Sequence, residues 1–205
     1  CFWSVRALLE IERKFLFKTK IPAEVIEEAT RHLLIVQWYL NPPDRRRIRV
    51  SVDESDIYVV QTLKSGAGLI REEIEKKVDL SLIIQMRKEL RVSRAVMKSR
   101  HVYKKNEIEG VVDWYLLPRI GYVLEVETSD PEAVLPDPWN YWPLPRDSFE
   151  EVTENRSYTA RSISVSINSI AGIIPERIES ISDHQISEFR KLLQPIYGDS
   201  GGIDS

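Results

Sequence analysis

Glu10, Glu12 and Lys14 stand two residues apart in Leu9-Glu10-Ile11-Glu12-Arg13-Lys14-Phe15, the spacing that sets side chains on one face of a β-strand. Leu9, Ile11 and Phe15 fall on the other face, so the strand can bury one side and offer charge on the other. Two carboxylates and an ammonium group on one face could hold a cation and an anion together. The pattern recurs. Arg47 pairs with Arg49, Glu73 with Glu75, Lys98 with Arg100, and Glu125 with Glu127, while Arg71 precedes Glu73 and Lys64 follows Thr62 at the same interval. The residues between and beside them, such as Ile48, Val50, Ile74, Met97, Leu124 and Val126, are apolar.

If these strands form one closed sheet with the charged faces inward, the lumen gathers carboxylates and cations that do not neutralise into a simple core. Buried charge is tolerated when it is paired or metal-bound, so such a lumen suits an occupant that carries both signs. Carboxylate oxygens hold Mg²⁺ or Mn²⁺, and Lys and Arg donors neutralise phosphate oxygens. The inventory therefore points to metal-assisted phosphate chemistry.

With these residues the chain resembles the CYTH superfamily, also called the triphosphate tunnel metalloenzymes. Glu10-Ile11-Glu12-Arg13-Lys14 looks like the ExExK signature of that family. Gln37-Trp38-Tyr39-Leu40, Arg47-Ile48-Arg49, Tyr58 to Lys64, Arg71 to Glu75, Lys98-x-Arg100, Asp113, Glu125-x-Glu127 and Glu151-Val152-Thr153 with Tyr158 follow in the family's order. The resemblance covers Leu8 to Ile163 and implies an α+β fold, mainly antiparallel β, with an eight-stranded tunnel barrel, a charged lumen and a few covering helices.

It further implies metal ligands at Glu10, Glu12, Glu73, Glu75, Glu125 and Glu127, with Mg²⁺ or Mn²⁺ as the cofactor. Phosphate-binding cations are implied at Lys14, Arg47, Arg49, Lys64, Lys98 and Arg100, while Arg71 faces the tunnel mouth or closes an ion pair. Lys98 and Lys14 are the candidate proton acceptors, because a crowd of cations lowers an ammonium pKa. The implied partner is a small-molecule triphosphate, inorganic tripolyphosphate first, then nucleoside or thiamine triphosphate. Adenylate cyclisation and a non-catalytic polyphosphate or nucleotide sensor are the other readings. Two ExE pairs favour an enzyme, since a pure polyanion binder gains nothing from carboxylates aimed at its ligand.

The elements that must position these residues fit one domain over 1–205, with a short extension over 1–6 and a disordered tail over 198–205. A net charge of -3 gives no general pull toward nucleic acid, and Arg45-Arg46-Arg47 follows a turn-like Pro42-Pro43-Asp44. Cys1 is the single cysteine, which excludes a disulfide framework and fits a reducing, cytoplasmic setting. No apolar run is long enough for a membrane-spanning helix. Ser65-Gly66-Ala67-Gly68 lacks the Lys and helix of a phosphate-binding loop, and His32, His101 and His184 have no metal-ligand spacing.

By strand parity His101 falls opposite Lys98 and Arg100. Helices are expected over Pro22–His32, Leu80–Leu90 and Ser182–Leu193. The proline-punctuated stretch over 131–147, with Trp139 and Trp142, departs from the family pattern and reads as a packed or surface loop. Phe15, Phe17, Val50 and Val52 face outward and need cover from helices or from a second subunit, which makes a homodimer one solution.

Overall fold

The computed structural model describes the backbone of residues 6–8, 11–42, 46–65, 72–130 and 132–198, and the side chains of these apart from 6–8, 64–65 and 72–74. Alternating segments become strands β1 (Arg6–Leu8), β2 (Ile11–Phe17), β3 (Arg31–Tyr39), β4 (Arg47–Val52), β5 (Ile57–Ser65) and β6 (Glu72–Val78). They continue as β7 (Arg94–Lys105), β8 (Ile108–Leu117), β9 (Gly121–Thr128), β10 (Phe149–Glu151) and β11 (Val165–Ser166). One sheet runs β1-β6-β5-β4-β3-β7-β8-β9-β2-β10, with β11 added to β7, and every pairing between these strands is antiparallel.

That order forces the sheet to curl. Laid flat, the steps from β1 to β2 would separate them by about 38 Å at about 4.8 Å per step. Leu8 and Ile11 are nearly adjacent in the chain, which can span only about 11 Å between them. Counting β1 and β2 as one position, eight strands wall a tunnel, the mainly antiparallel α+β architecture that the sequence implies.

Two apolar layers cover the outside. Over β3, β4 and β7, Leu34, Val36, Trp38, Val50, Val52 and Met97 pack against α2 (Ser81–Gln85), α3 (Arg87–Val92) and α6 (Asp183–Tyr197). α6 starts in a capping box in which Ser182 and Gln185 satisfy each other's backbone N–H. It buries Ile186, Phe189, Leu193 and Ile196, and Tyr197 Oη accepts from Trp38 Nε1 at 2.7 Å. Over β2, β8 and β9, Phe15, Phe17, Val112, Leu124 and Val126 pack under α1 (Ala23–Glu27) and the segment around α4 (Pro138–Tyr141). The apolar outer positions named from the sequence, Phe15, Phe17, Val50 and Val52, are thus covered within one chain. Gly110 permits the second layer, because a Cβ there would sit 2.3 Å from Tyr141 Cε1 and 2.8 Å from Trp142 Cζ2.

Two helical expectations need correction. The helix expected over Pro22–His32 stops at Glu27, because Thr30 N–H and Oγ1 donate to Val102 O at 2.8 and 3.0 Å and Arg31 opens β3 against β7. The helix expected over Leu80–Leu90 is two short helices that break at Met86, with φ −92° and ψ 10° there. The stretch over 131–147 contains α4, and Trp142 is buried edge-on to Tyr103 and Tyr141. Among the described residues no helix is long and apolar enough to cross a membrane. Of the extension expected over 1–6 only Arg6 is described, and it opens β1; of the tail expected over 198–205 only Gly198 is described, and the rest of both lies outside the described residues.

On the outer face of β7, opposite Lys98 and Arg100, His101 meets His32 of β3 with Nδ1 to Nδ1 at 2.9 Å. A contact that close leaves room for one proton between the two rings. Burial first and His32 second push His101 down to about 4 from its ordinary 6.5, and burial also lowers His32. Between those values the unfolded chain binds the proton that the folded chain refuses, so stability is full above pH 6.5 and is lost as the pH falls toward about 4. Urea unfolding at neutral pH and near pH 4.5 should show a loss of about 2–3 kcal/mol that a His101→Gln variant lacks. Equal losses in the two proteins would remove the pair as its cause.

Candidate active site

Strand register explains how distant motifs meet. Glu12 sits opposite Glu127 and Lys14 opposite Glu125 across β2 and β9, while Arg100 sits opposite Asp113 across β7 and β8. Parity turns all six inward. Lys14 Nζ lies 3.0 Å from Glu125 Oε1 and 3.3 Å from Glu12 Oε1. Glu125 also takes Arg100 Nη2 at 3.2 Å. Carboxylate oxygens of Glu12, Glu125 and Glu127 lie within 4.8 Å of one another, close enough to ligate one ion. Hard oxygen donors in that number suit Mg²⁺ or Mn²⁺.

Beside this group lies a buried charge triad. Asp113 is fully buried and takes Arg100 Nε on Oδ1 at 2.7 Å, then Arg100 Nη2 at 2.7 Å and Lys98 Nζ at 2.5 Å on Oδ2. Across the lumen Arg47 Nη2 donates to Glu75 Oε1 at 3.3 Å and to Thr62 Oγ1 at 3.2 Å, and Arg49 Nη2 lies 3.7 Å from Glu75. The lumen thus holds two charge clusters: Glu12, Glu125 and Glu127 with Lys14, Lys98, Arg100 and Asp113, and Arg47 and Arg49 around Glu75.

The surroundings set each proton affinity. Burial works against the charge of Glu125, but Lys14, Arg100 and Lys98 outweigh it and hold the carboxyl below its usual range. Burial likewise opposes the Lys14 charge, yet Glu125 and Glu12 push its pKa up, so it stays an ammonium ion near neutral pH. Lys14 is therefore poorly placed as a proton acceptor. Lys98 behaves oppositely: burial, helped by Arg100, brings it down to about 8 against the pull of Asp113 and Glu125. The sequence grouped these two lysines, and the lumen separates them by charge.

A solved chain named as the hypothetical protein NE1496 is 25% identical to this chain, covers 77% of it and 99% of its own length, and superposes with a TM-score of 0.46. A second structure of NE1496, named there an inorganic triphosphatase, is 22% identical, covers 77% and 95%, and gives 0.45. A putative adenylate cyclase from Bacillus halodurans is 16% identical, covers 62% and 83%, and gives 0.41. No protein-family model and no curated protein matches the chain.

Of the positions that the CYTH resemblance assigned, Glu12, Lys14, Lys98, Arg100, Glu125 and Glu127 come together around one carboxylate group. Arg47, Arg49 and Glu75 form a second cluster. Glu75, expected as a metal ligand, instead receives Arg47 and Thr62 on Oε1, and it is not part of the three-carboxylate group. Lys64 and Glu73 are backbone partners in the β5–β6 register. Glu10 and Arg71 lie outside the described residues. The sequence reading gave no role to Tyr39 and Tyr115, which the tunnel turns inward beside Gln37 and Lys98, with Lys98 Nζ 5.3 Å from the Tyr115 ring centre. Period-two parity with Asp113 on the same strand could have found Tyr115, whereas Tyr39 is placed by its register opposite Arg47.

Proposed function

We propose that the protein is a divalent-metal-dependent hydrolase of the CYTH type that acts on a triphosphate, with inorganic tripolyphosphate as its first substrate. The observation that carries this reading is the convergence of Glu12, Glu125 and Glu127 beside Lys14, Lys98 and Arg100 inside one tunnel. Lys14, Arg47, Arg49, Lys98 and Arg100 neutralise and align the phosphate chain, with Arg100 held in a fixed plane by its two bonds to Asp113. A bound Mg²⁺ or Mn²⁺ would offset phosphate charge and lower the pKa of a water molecule. Glu12, Glu125 and Glu127 would hold it, and their oxygens fit that ion's preference for carboxylates.

The Lys98 amine, held near the neutral range, takes the proton of the attacking water. The walls supply position and electrostatic complement, the larger part of phosphoryl transfer. The test is phosphate release from tripolyphosphate, ATP and thiamine triphosphate with Mg²⁺, Mn²⁺ or EDTA. Release should require metal and fall about a hundredfold in Glu12→Gln combined with Glu127→Gln, half-exposed positions whose loss spares the buried triad. Release that persists in EDTA, or that the double variant retains, would refute the reading.

A further inference from the structure

Lys14 already holds two of the three carboxylates that would ligate a metal. Its Nζ lies 3.0 Å from Glu125 Oε1 and 3.3 Å from Glu12 Oε1, and these two side chains join Glu127 in the group whose oxygens lie within 4.8 Å of one another. The second oxygen of Glu125, Oε2, takes Arg100 Nη2 at 3.2 Å. Both oxygens of Glu125 therefore face a cation. A divalent ion sits about 2.1 Å from a carboxylate oxygen, so an ion on Glu125 Oε1 would stand within about 5 Å of the Lys14 ammonium. At that range two like charges repel strongly unless an anion lies between them.

Of the two cations on Glu125, only one is free to leave. Arg100 is fixed by Nε and Nη2 on the two oxygens of Asp113 at 2.7 Å each, and Asp113 is fully buried. Lys14 instead ends a flexible four-carbon stem whose described ion-pair partners are Glu12 and Glu125. Its backbone is tied down. Lys14 N–H donates to Thr153 Oγ1 at 3.0 Å and Lys14 O accepts from Val152 N–H at 2.8 Å, both in the segment between β10 and α5 (Ala160–Ile163). Movement is thus confined to the side chain. A phosphate chain in the lumen offers the ammonium new anionic acceptors and, by drawing it off, leaves the Glu12 and Glu125 oxygens to the ion.

We propose that Lys14 is the resident counter-ion of the carboxylate group and transfers from Glu12 and Glu125 to a phosphate oxygen, so that divalent metal and triphosphate each bind weakly alone and tightly together. The proposal rests on the triphosphate reading and deepens it: the site recognises the metal and the triphosphate as a pair. The coupling is reciprocal, since whatever factor the phosphate adds to metal affinity the metal adds to phosphate affinity. Arg47 is the natural control, because it carries the same charge in the same lumen but donates to Glu75 and Thr62.

Binding measurements test the exchange without turnover. Mn²⁺ is titrated calorimetrically into phosphate-free wild type, Lys14→Met and Arg47→Met. The wild type should bind it more weakly than about 0.1 mM, the weak end of carboxylate sites. Lys14→Met should bind Mn²⁺ at least about tenfold more tightly than the wild type, and Arg47→Met less than about threefold more tightly. Melting temperatures are then read for the wild type with Mg²⁺ alone, with tripolyphosphate in EDTA, and with both in excess. The rise with both should exceed the sum of the separate rises, because each ligand tightens the other on the folded chain. Additive rises, micromolar Mn²⁺ binding by the phosphate-free wild type, or equal effects of Lys14→Met and Arg47→Met would each overturn the inference while leaving the triphosphate reading in place. If tripolyphosphate raises the melting temperature neither in EDTA nor with Mg²⁺, the triphosphate reading fails and takes the inference with it. The wild-type measurements decide the matter even where Lys14→Met does not fold.

Discussion

Asp113→Ala should cost about 3–5 kcal/mol of folding stability, the largest effect expected from any single substitution in the lumen. Asp113 is the shared acceptor of Lys98 and Arg100, and its side chain has no exposure, against 5% for Lys98 and 17% for Arg100. Removing it leaves two cations face to face, with Glu125 reaching only Arg100. The near-isosteric Asp113→Asn retains the shape and one acceptor, loses the charge, and should cost less. Urea unfolding at neutral pH reads both, and an unchanged slope would locate the loss in the folded state. Added tripolyphosphate should restore part of the stability to Asp113→Ala, because the anion substitutes for the lost carboxylate and binds the folded chain alone. A loss under about 1 kcal/mol would mean that water already carries the charge of the triad.

The same cluster shows how far the sequence could be read. Alternation has a period of two, so a single strand declares its own charged face, and Glu12, Lys14, Lys98, Arg100, Glu125 and Glu127 were assignable one strand at a time. Partnership is different. That Glu12 opposes Glu127 while Glu75 turns to Arg47 depends on the order β6-β5-β4 on one side and β9-β2 on the other, a ring order that no local pattern contains. His32 and His101 lie in segments with no shared motif, and only the β3–β7 register makes them neighbours. The amphipathic look of Pro22–His32 misled for a related reason: Thr30 and Arg31 gain strand hydrogen bonds to Val102 that outweigh local helix preference.

Turnover of the triphosphate should rise with pH through about 8 and level off above it, because the neutral Lys98 amine is the form that can accept a proton and its pKa is brought to about 8 by burial and Arg100. The direction follows from the protonation state: below that value the ammonium ion predominates and the acceptor is lost, and above it the amine is available. Lys14 cannot supply the limb, since Glu125 and Glu12 hold it charged well beyond that range. Lys98→Arg keeps a cation beside Asp113 but keeps it permanently protonated. It should therefore fold, bind tripolyphosphate within a few fold of the wild type, and lose about 10²–10⁴ in kcat along with the rise near pH 8. Binding measured in EDTA and kcat measured with Mg²⁺ separate the two roles. If Lys98→Arg keeps its kcat and its pH limb, Lys98 serves the phosphate as a charge only, and the proton leaves by another route.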